Sequence, residues 1–386
     1  MSYVLLLLAI LGTISSLVYL GMVIVASVRH VREPRSQRLG TYTPISLLKP
    51  VHGDEPQLYE NLLSHFRQSY PADYEVIFCA RHLSDPAFKT VDRLAKEFPD
   101  RTVKKIACGE PLWVNPRTFS VDRMIDVASY ESLLITDSDV RVDNDFLENI
   151  TPELNQEGVG LVTCLYRGVP SGGPWSFLEA IGMSVEMSSG VLVANMLEGM
   201  KFALGPCMAL HKSCISKIGG LQDIASYYAD DFVLGNRVSN AGFKVVLSKN
   251  VINHVVTNTN FKRSLQHQLG WMRSTRFSRP MGHFGTSLTF AMPFAILGFC
   301  VEAFRNNLYG ALAFLSLGLL NRIIQSIVVG WMVVRDKKSL LFAWLYPIRD
   351  LMGFLFWAAS YCSSKVGYRG ETYILYDEGK IKKYVG

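Results

Sequence analysis

The segment that most constrains the fold is residues 3–28, which contain no charged side chain. As an α-helix, these 26 residues would span about 39 Å, enough to cross a hydrocarbon core of about 30 Å with some tilt. A cleaved signal peptide has a basic start and a shorter apolar run, and this segment has neither. It therefore predicts a retained membrane anchor.

The residues after the anchor carry an excess of positive charge. Against the single acid Glu33 stand four arginines: Arg29, Arg32, Arg35 and Arg38. The positive-inside rule therefore predicts an N-terminus outside the cytoplasm and a cytoplasmic chain after residue 29. The seven cysteines show no CxxC spacing, so they predict buried free thiols in a reducing compartment rather than a disulfide framework or a structural zinc site.

Composition excludes two broad classes. The chain is 49% hydrophobic and 19% charged, which excludes disorder as its main state. Its net charge of +6 is mild, whereas a nucleic-acid-binding protein is usually more basic and clusters that charge. We expect a water-soluble domain joined to membrane segments.

Residues 45–260 alternate strand and helix signals. The predicted strands are short apolar runs, at 45–48, 74–80, 102–108, 132–136, 159–165, 206–211 and 243–247. This alternation predicts an α/β fold with a mixed, mostly parallel sheet flanked by helices. Ligands of such sheets bind at the carboxyl ends of the strands.

The sequence after residue 285 is dominated by apolar stretches, at 286–301, 308–320, 323–334 and 340–361. The last stretch carries Arg349 and Asp350 at its centre, and such a pair rarely faces lipid. This stretch is therefore predicted to be interfacial, re-entrant or a helical hairpin. The predicted division is an anchor at 1–30, a cytoplasmic domain with an interfacial helix at 31–280, several membrane helices within 281–362 and a tail at 363–386.

The strongest local motif is Asp137-Ser138-Asp139, directly after the predicted strand at 132–136. Two carboxylates at the end of a strand can bind a hard divalent cation whose other ligands are phosphate oxygens. A solvated turn is the alternative, because short acidic motifs are common. A second DxD, Asp143-Asn144-Asp145, precedes Phe146 and Leu147 and is better interpreted as a helix start.

Two further motifs each allow two interpretations. Asp230-Asp231 either stabilises the start of a helix or supplies a general base. The segment from His267 to Trp271, followed by arginines, is either an amphipathic interfacial helix or a group of side chains over a diphosphate. Asp85 is by default a helix-start residue. The chain has no GxGxxG, GxxxxGK[ST] or GxSxG motif, which disfavours dehydrogenases, P-loop proteins and hydrolases.

The order of these motifs resembles the ceramide glucosyltransferase family, a group of membrane glycosyltransferases with the GT-A fold. The resemblance covers nearly the whole chain. It rests on Ser46-Leu47-Leu48-Lys49-Pro50, Tyr74-Glu75-Val76, Asp85-Pro86-Ala87, Val114-Asn115-Pro116, Asp137-Ser138-Asp139-Val140-Arg141-Val142, Gly160-Leu161-Val162, Asp230-Asp231 and Trp271.

The resemblance implies a role for each matching residue. Asp85 would contact the nucleotide base, and Asp137 and Asp139 would hold a UDP-sugar through Mg²⁺ or Mn²⁺. Asp231 would be the base that deprotonates the acceptor hydroxyl.

Two parts of the family pattern differ in this chain. Arg117 stands where the family usually has lysine and would contact the sugar nucleotide. His267 and Trp271 take the first and last positions of a Q/R-x-x-R-W motif near the donor diphosphate and the lipid acceptor. Gly270 stands where that motif has arginine.

The resemblance implies an inverting glycosyltransferase that moves a sugar from a UDP-sugar to a lipid hydroxyl such as that of ceramide. Glucose is the first sugar to expect, and the product would be a β-linked glycolipid. Two alternatives are transfer of N-acetylglucosamine to a hopanoid lipid and a catalytically reduced homologue that binds a sugar nucleotide or a lipid. The expected partners are the lipid acceptor and the UDP-sugar donor, with no nucleic acid and no obligate protein partner. We expect a multi-pass membrane protein with its catalytic domain on the cytoplasmic face, in a bacterial inner membrane rather than the Golgi.

Overall fold

The computed structural model describes residues 2–34, 42–258 and 260–384. Arg35 and Arg38, on which the predicted orientation of the anchor partly rests, lie outside the described residues. The strands are β1 Ile45–Pro50, β2 Tyr74–Ala80, β3 Thr102–Ala107, β4 Ser132–Thr136, β5 Val140–Arg141, β6 Val159–Pro170, β7 Cys207–His211, β8 Lys244–Val256, β9 Lys365–Tyr368, β10 Glu371–Tyr376 and β11 Lys380–Lys383.

The helices alternate with these strands and then dominate the C-terminal part. They are α1 Ser2–Arg32, α2 Leu58–Phe66, α3 Ala87–Glu97, α4 Pro116–Val127, α5 Phe146–Leu154, α6 Pro174–Ile181, α7 Ser188–Glu198, α8 Lys212–Lys217, α9 Asp230–Asn240, α10 Phe261–Ser278, α11 Pro280–Thr286, α12 Met292–Phe304, α13 Leu308–Gln325, α14 Lys337–Leu341 and α15 Tyr346–Ala359. Two π-helical segments extend them: Gly182–Met187 joins α6 to α7, and Ser326–Val333 lengthens α13.

Among the described residues, eight strands form the main sheet in the order β3-β2-β1-β4-β7-β6-β8-β5. Four neighbouring pairs are parallel, and three pairs, which involve β7 and β5, are antiparallel. The predicted mixed, mostly parallel sheet is therefore confirmed. β1, β2 and β4 are buried along their whole lengths, so this half of the sheet is the centre of the core. Leu48 pairs with Ile135, which brings the chain after β1 beside the chain after β4.

Two strands are longer than the sequence predicts. β6 continues past residue 165 to Pro170, and β8 continues past residue 247 to Val256. The polar residues in these extensions interrupt the apolar pattern, but the two strands pair with each other there, and Arg167 Nε donates to Asn253 Oδ1 at 2.5 Å. A register shift after Cys164 accommodates the interruption. Pairing between distant segments therefore overrides the local pattern.

Three described helices are long and apolar enough to cross a membrane: Ser2–Arg32, Pro174–Glu198 and Leu308–Val333. The first is the predicted anchor. The second lies inside the range 31–280 that was predicted to be cytoplasmic. The sequence pattern does not predict it as a long apolar helix, because Glu179 and Glu186 interrupt its apolar residues. The third joins two predicted stretches into one helix, because Arg322 does not break it.

Buried charges explain how the C-terminal helices pack. Arg322 Nη1 donates to Asp350 Oδ1 at 2.9 Å, and both side chains are 2% exposed. Arg349 pairs with Glu186 at 3.0 Å. Charges in membrane helices usually face the protein interior and pair with one another, as these do. α15 has 14 residues, about 21 Å as a helix, and is too short to span a core of about 30 Å alone.

The C-terminal tail is folded. β9, β10 and β11 form a separate antiparallel sheet whose small core contains Val366, Tyr373, Leu375 and Ile381. Tyr228 and Phe277 pack against this core. The segment predicted as a tail at 363–386 is thus docked beside α10 and beside the chain that leads into α9.

The packing of α1 against α12 generates a test. A Cβ atom built on Gly12 would lie 2.1 Å from ring atoms of Phe294, whereas one built on Gly21 of the same helix would meet nothing within 4 Å. We expect Gly12→Leu to lower the free energy of unfolding by about 1–3 kcal/mol, because overpacking forces neighbouring groups apart. The measurement is denaturant unfolding of the purified protein in detergent.

Gly21→Leu is the matched control, since it adds the same side chain and the same helix propensity to α1. It should leave the free energy of unfolding unchanged or raise it slightly. Equal stability of the two variants would contradict the packing of α1 on α12.

Candidate active site

The start of α4 places an arginine between the two acidic motifs. The Asn115 side chain accepts hydrogen bonds from the backbone N–H groups of Arg117 and Thr118, and Pro116 occupies the first turn. This is a favourable helix start, because the cap satisfies free N–H groups and proline needs none. The cap fixes the direction in which the Arg117 side chain leaves the helix.

All three guanidinium nitrogens of Arg117 are engaged. Nε donates to Asp137 Oδ1 at 2.9 Å, Nη1 to Asp230 Oδ2 at 2.7 Å and Nη2 to the carbonyl oxygen of Gly205 at 2.8 Å. The Arg117 side chain is 11% exposed. Arg117 therefore joins two motifs that lie more than ninety residues apart in the sequence, Asp137-Ser138-Asp139 and Asp230-Asp231.

Asp139 pairs with a histidine that the sequence analysis did not identify. His254 Nε2 lies 3.0 Å from Asp139 Oδ2, in the extension of β8. Burial alone would raise the pKa of Asp139, but the charge and hydrogen bond of His254 hold it below its ordinary value. Burial would likewise lower the pKa of His254, and the Asp139 carboxylate raises it. The two groups therefore stabilise each other's charged forms.

The loop after β1 supports the acidic motif. Ser138 Oγ donates to Glu55 Oε2 at 2.5 Å, and burial raises the pKa of Glu55. Lys49 is fully buried beneath the motif and donates to Thr136 Oγ1 and to the carbonyl oxygen of Asp137, each at 2.9 Å. Burial lowers the pKa of Lys49 to about 7.

Asp85 holds the same loop from its other side. Its Oδ1 accepts hydrogen bonds from Gly53 N at 2.8 Å and from Ala87 N at 2.9 Å, and its Oδ2 lies 3.6 Å from His52 Nδ1. The bond to Ala87 is the predicted helix-start contact. The bond to Gly53 is additional, and it ties Asp85 to the loop that carries Glu55.

Asp231 is held by two backbone N–H groups. Its Oδ2 accepts from Gly205 at 2.6 Å, and its Oδ1 accepts from Phe232 at 2.8 Å. Burial, followed by the negative charge of Asp230, raises the pKa of Asp231 to about 6. A carboxylate with this pKa is ionised at neutral pH and is more basic than an ordinary aspartate, which suits a general base.

Tyr166 lies near Asp231 and the DxD motif. Its ring is buried, with its centroid 5.4 Å from that of His254. Burial raises the pKa of Tyr166, and so do the nearby charges of Asp231, Asp139 and Asp137. The three predicted carboxylates thus lie close enough to one buried phenol to act on it.

The predicted His267–Trp271 motif lies on α10 and contacts the apolar helix α6. His267 Nδ1 lies 2.6 Å from Glu179 Oε1, and its ring centroid is 4.3 Å from that of Trp271. Glu179 is fully buried and also accepts from Ser264 and Asn258. The proximity of His267 also contributes to the lowered pKa of Asp139. A Cβ atom on Gly270 would meet only Tyr228 Oη, at 3.5 Å.

The predicted residues lie at one edge of the sheet, where they form two groups. Arg117, Asp137 and Asp230 form a bonded group, while Asp231 and Asp139 lie beside Tyr166. Asp85, His267 and Trp271 lie around this centre. Sequence analysis missed the roles of His254, Glu55, Glu179 and Tyr166 because no motif marks them.

The acidic group fits a divalent cation only if further ligands complete the site. Asp139 Oδ1 is buried and has no hydrogen-bond partner, so one carboxylate oxygen is free for a metal. Within the part of the chain that the structure describes, no three His, Cys, Asp or Glu side chains converge closely enough to hold a metal by themselves. Mg²⁺ and Mn²⁺ accept phosphate oxygens as ligands, so Asp139 together with a diphosphate fits this chemistry.

The mixed sheet and the acidic site at its carboxyl edge are features of GT-A-type folds. The chain belongs to glycosyl transferase family 21, whose model matches residues 6–381. The family and the fold predicted from the sequence are therefore confirmed.

The curated relatives match only part of this chain. Ceramide glucosyltransferase 1 of Caenorhabditis elegans is 28% identical over 209 residues, which cover 54% of this chain and 44% of that protein. Ceramide glucosyltransferase 3 of the same organism is 26% identical over 205 residues, which cover 53% and 44%. The chain thus matches less than half the length of each of these relatives.

Among solved structures, the mannosyltransferase PcManGT from Pyrobaculum calidifontis in complex with GDP-Man and Mn²⁺ has a similar fold. The TM-score is 0.51, the match covers 91% of this chain and 99% of that chain, and the sequence identity is 19%. Similarity at this level of identity shows a shared fold.

Because Asp139 Oδ1 has no hydrogen-bond partner, we expect substitutions of Asp139 and of its neighbour His254 to affect metal binding. Asp139→Asn and His254→Gln should each weaken Mn²⁺ binding in the presence of UDP by about 10- to 100-fold. Asp139→Asn removes the negative charge of the ligand, and His254→Gln removes the imidazole that orients the Asp139 carboxylate. Electron paramagnetic resonance of free Mn²⁺ measures this affinity.

Asp143→Asn is the matched control, since Asp143 belongs to the other DxD motif and is exposed. Its Mn²⁺ affinity should equal that of the unaltered protein. If Asp143→Asn weakened binding as much as Asp139→Asn, or if Asp139→Asn had no effect, the assignment of the metal to Asp139 would be wrong.

Proposed function

We propose that this chain is an inverting glycosyltransferase that transfers glucose from UDP-glucose to the hydroxyl group of a membrane lipid such as ceramide. The observation that carries the proposal is the position of Asp231: this half-buried carboxylate has a raised pKa, and Gly205 links it to Arg117, which bonds to Asp137. The family and the ceramide glucosyltransferase relatives support the same activity.

Asp231 acts as the general base. Its two oxygens are oriented by the N–H groups of Gly205 and Phe232, and each keeps a lone pair for the acceptor hydroxyl. As Asp231 removes the hydroxyl proton, the acceptor oxygen attacks the anomeric carbon from the face opposite the diphosphate. One displacement inverts the configuration, so a UDP-α-sugar gives a β-glycoside.

The donor occupies the other side of the acidic group. Asp139 and Asp137 face its diphosphate, Arg117 fixes the orientation of Asp137, and Asp85 lies where the loop after β1 would meet the nucleotide base. A bound Mg²⁺ or Mn²⁺ supplies positive charge that stabilises the departing UDP. Hydrogen bonds from this chain's own residues orient the rest of the donor.

The acceptor enters from the membrane side. An open cleft of about 760 Å³ lies beside the start of α6, and its lining includes Phe177, Phe342, Trp344 and Leu345. Ser171 on the rim of this cleft bonds to Gln57, two residues from Glu55, so the cleft adjoins the loop that supports the acidic motif. An apolar cleft in this place suits the hydrocarbon chains of a lipid whose hydroxyl reaches Asp231. We place this side of the protein at the cytoplasmic face of the membrane.

A product assay tests the proposal. Membranes that contain the protein should convert UDP-[¹⁴C]glucose and ceramide to a radiolabelled lipid, whereas membranes with Asp231→Asn should not. Transfer only from UDP-N-acetylglucosamine to a hopanoid alcohol would refute the assigned donor and acceptor. Donor binding without any transfer would refute the assignment as an active enzyme.

The base assignment makes a kinetic prediction. Asp231→Asn should lower kcat by about 10²–10⁴-fold, the usual contribution of a positioned base, and should leave the KM for the donor nearly unchanged. Since burial raises the pKa of Asp231 to about 6 in the free enzyme, kcat/KM of the unaltered enzyme should fall as the pH drops below about 6. That fall should be absent in Asp231→Asn. Steady-state rates between pH 5 and 8 provide the measurement.

Asp230→Asn is the informative comparison, because Asp230 bonds to Arg117 rather than facing the acceptor. Its effect on kcat should be milder, and it should raise the KM for the donor. If Asp231→Asn kept a near-normal kcat while Asp230→Asn lost most of its kcat, the base would be Asp230. Retention of kcat in both variants would exclude this motif as the source of the base.

A further inference from the structure

The C-terminal sheet is anchored to the active site at three points. Arg273 Nη1 on α10 donates to the carbonyl oxygen of Lys365 at 2.7 Å. Tyr228 N donates to the carbonyl oxygen of Gly379 at 3.0 Å, and Tyr227 forms a β-bridge with Lys380. Tyr228 is only two residues from Asp230. The sheet is therefore attached to the segment that positions the acidic pair.

The tip of the β9–β10 hairpin lies among the charged groups of the site. Tyr368 is half-buried, and burial raises its pKa; Arg369, Arg117, Asp137 and Asp230 are the charged groups close enough to act on it. The next residue, Arg369, is exposed, with its guanidinium carbon 5.5 Å from the centre of the Tyr368 ring.

Arg369 also faces the loop after β1. Its positive charge acts on His52, whose pKa is lowered first by burial and then by Arg369, and on Glu55, whose pKa burial raises and Arg369 lowers. The hairpin tip thus lies near both that loop and the Arg117–Asp230 pair. A diphosphate that faces Asp137 and Asp139 would lie within reach of this tip.

Arg369 is a cation with unused hydrogen-bonding capacity. It forms no hydrogen bond or ion pair with any residue that the structure describes. The other cations at this centre are engaged: Arg117 with two carboxylates and a carbonyl, and Lys49 with Thr136 and the Asp137 carbonyl. The site holds five carboxylates, those of Glu55, Asp137, Asp139, Asp230 and Asp231. A cation without a partner beside these carboxylates would favour the entry of a diphosphate, in addition to any bound metal ion.

The backbone at Arg369 is in a conformation that arginine rarely adopts. Tyr368 pairs with Glu371, so Arg369 and Gly370 are the two central residues of the hairpin turn. Their φ angles are 48° and 81°, the pattern of a type I′ turn, for which Asn-Gly is the preferred sequence. A strained non-glycine residue beside a functional site is a reason to seek a function for its side chain.

We propose that Arg369 binds the diphosphate of the sugar-nucleotide donor. Its planar guanidinium group can donate two parallel hydrogen bonds to phosphate oxygens. As the bond to the sugar breaks, the charge that develops on the diphosphate lies next to this cation. Arg369 is thus a donor-binding residue contributed by the C-terminal hairpin. This inference rests on the proposed function, since it requires a nucleoside diphosphate in the site.

The test uses Arg369→Asn in the full-length protein. Asparagine before Gly370 forms the preferred type I′ pair, so the variant should melt at the same temperature as the unaltered protein or higher. Its dissociation constant for UDP in the presence of Mn²⁺, measured by titration calorimetry, should nevertheless rise by about 10- to 100-fold. Binding of UMP, which lacks the second phosphate, should weaken less. Arg369→Lys should restore part of the affinity for UDP.

Lys382→Asn is the matched control, because Lys382 is an exposed cation of the same small sheet. Its affinity for UDP should be unchanged. The inference is overturned if Arg369→Asn binds UDP within twofold of the unaltered protein, if UDP and UMP weaken equally, or if Lys382→Asn matches Arg369→Asn. Failure of the unaltered protein to bind UDP would instead refute the proposed donor, and the inference with it.

Discussion

The site depends on the three bonds of the Arg117 guanidinium group. They connect the chain after β4, the first turn of α9 and the segment before β7, which are neighbours in space but not in sequence. Gly205, which accepts one of these bonds, donates its own N–H group to Asp231. The Arg117 side chain is 11% exposed, so removal of either carboxylate would leave a largely buried charge without one of its partners. The positions of Asp137 and of the Asp230-Asp231 pair are therefore not independent, because Arg117 and Gly205 connect them.

A second chain of contacts links this centre to the membrane helices. The helix Pro174–Glu198 carries Glu179, which bonds to His267, and Glu186, which pairs with Arg349. Its π-helical segment begins at Gly182, where a Cβ atom would lie 2.3 Å from Arg349 Nε. The glycine thus permits the close approach of the arginine. One helix therefore joins the interfacial motif of α10 to the buried charges of α13 and α15, which suits an enzyme whose acceptor resides in the membrane.

The predictable parts of this structure are those that local sequence determines. β2 and β4 have the predicted bounds, because each is a short and mostly apolar run. Asp137 and Asp139 follow directly from the end of β4, and α5 begins after the second DxD as predicted. The helix Ser2–Arg32 was predictable from the length of residues 3–28 and from their lack of charge.

The remaining features depend on contacts between distant segments. His254 lies 115 positions from Asp139, in a strand extension that forms only because β6 pairs with β8. The helix Pro174–Glu198 was hidden by two glutamates whose partners, His267 and Arg349, lie far along the chain. Arg369 belongs to a segment that was predicted as a tail, and a single arginine in a tail carries no signal of a site. Burial and pairing of charged side chains are the properties that the sequence pattern does not encode.

The configuration of the product tests the assignment of Asp231 as the base most directly. Base-assisted attack in one displacement must invert the anomeric carbon, whereas a covalent intermediate on the enzyme would retain its configuration. The purified protein in detergent, supplied with UDP-α-glucose, Mn²⁺ and ceramide, should yield a glycolipid whose anomeric proton shows the large coupling constant of a β-glucoside in its NMR spectrum. An α-linked product would contradict the proposed mechanism and the role of Asp231 within it.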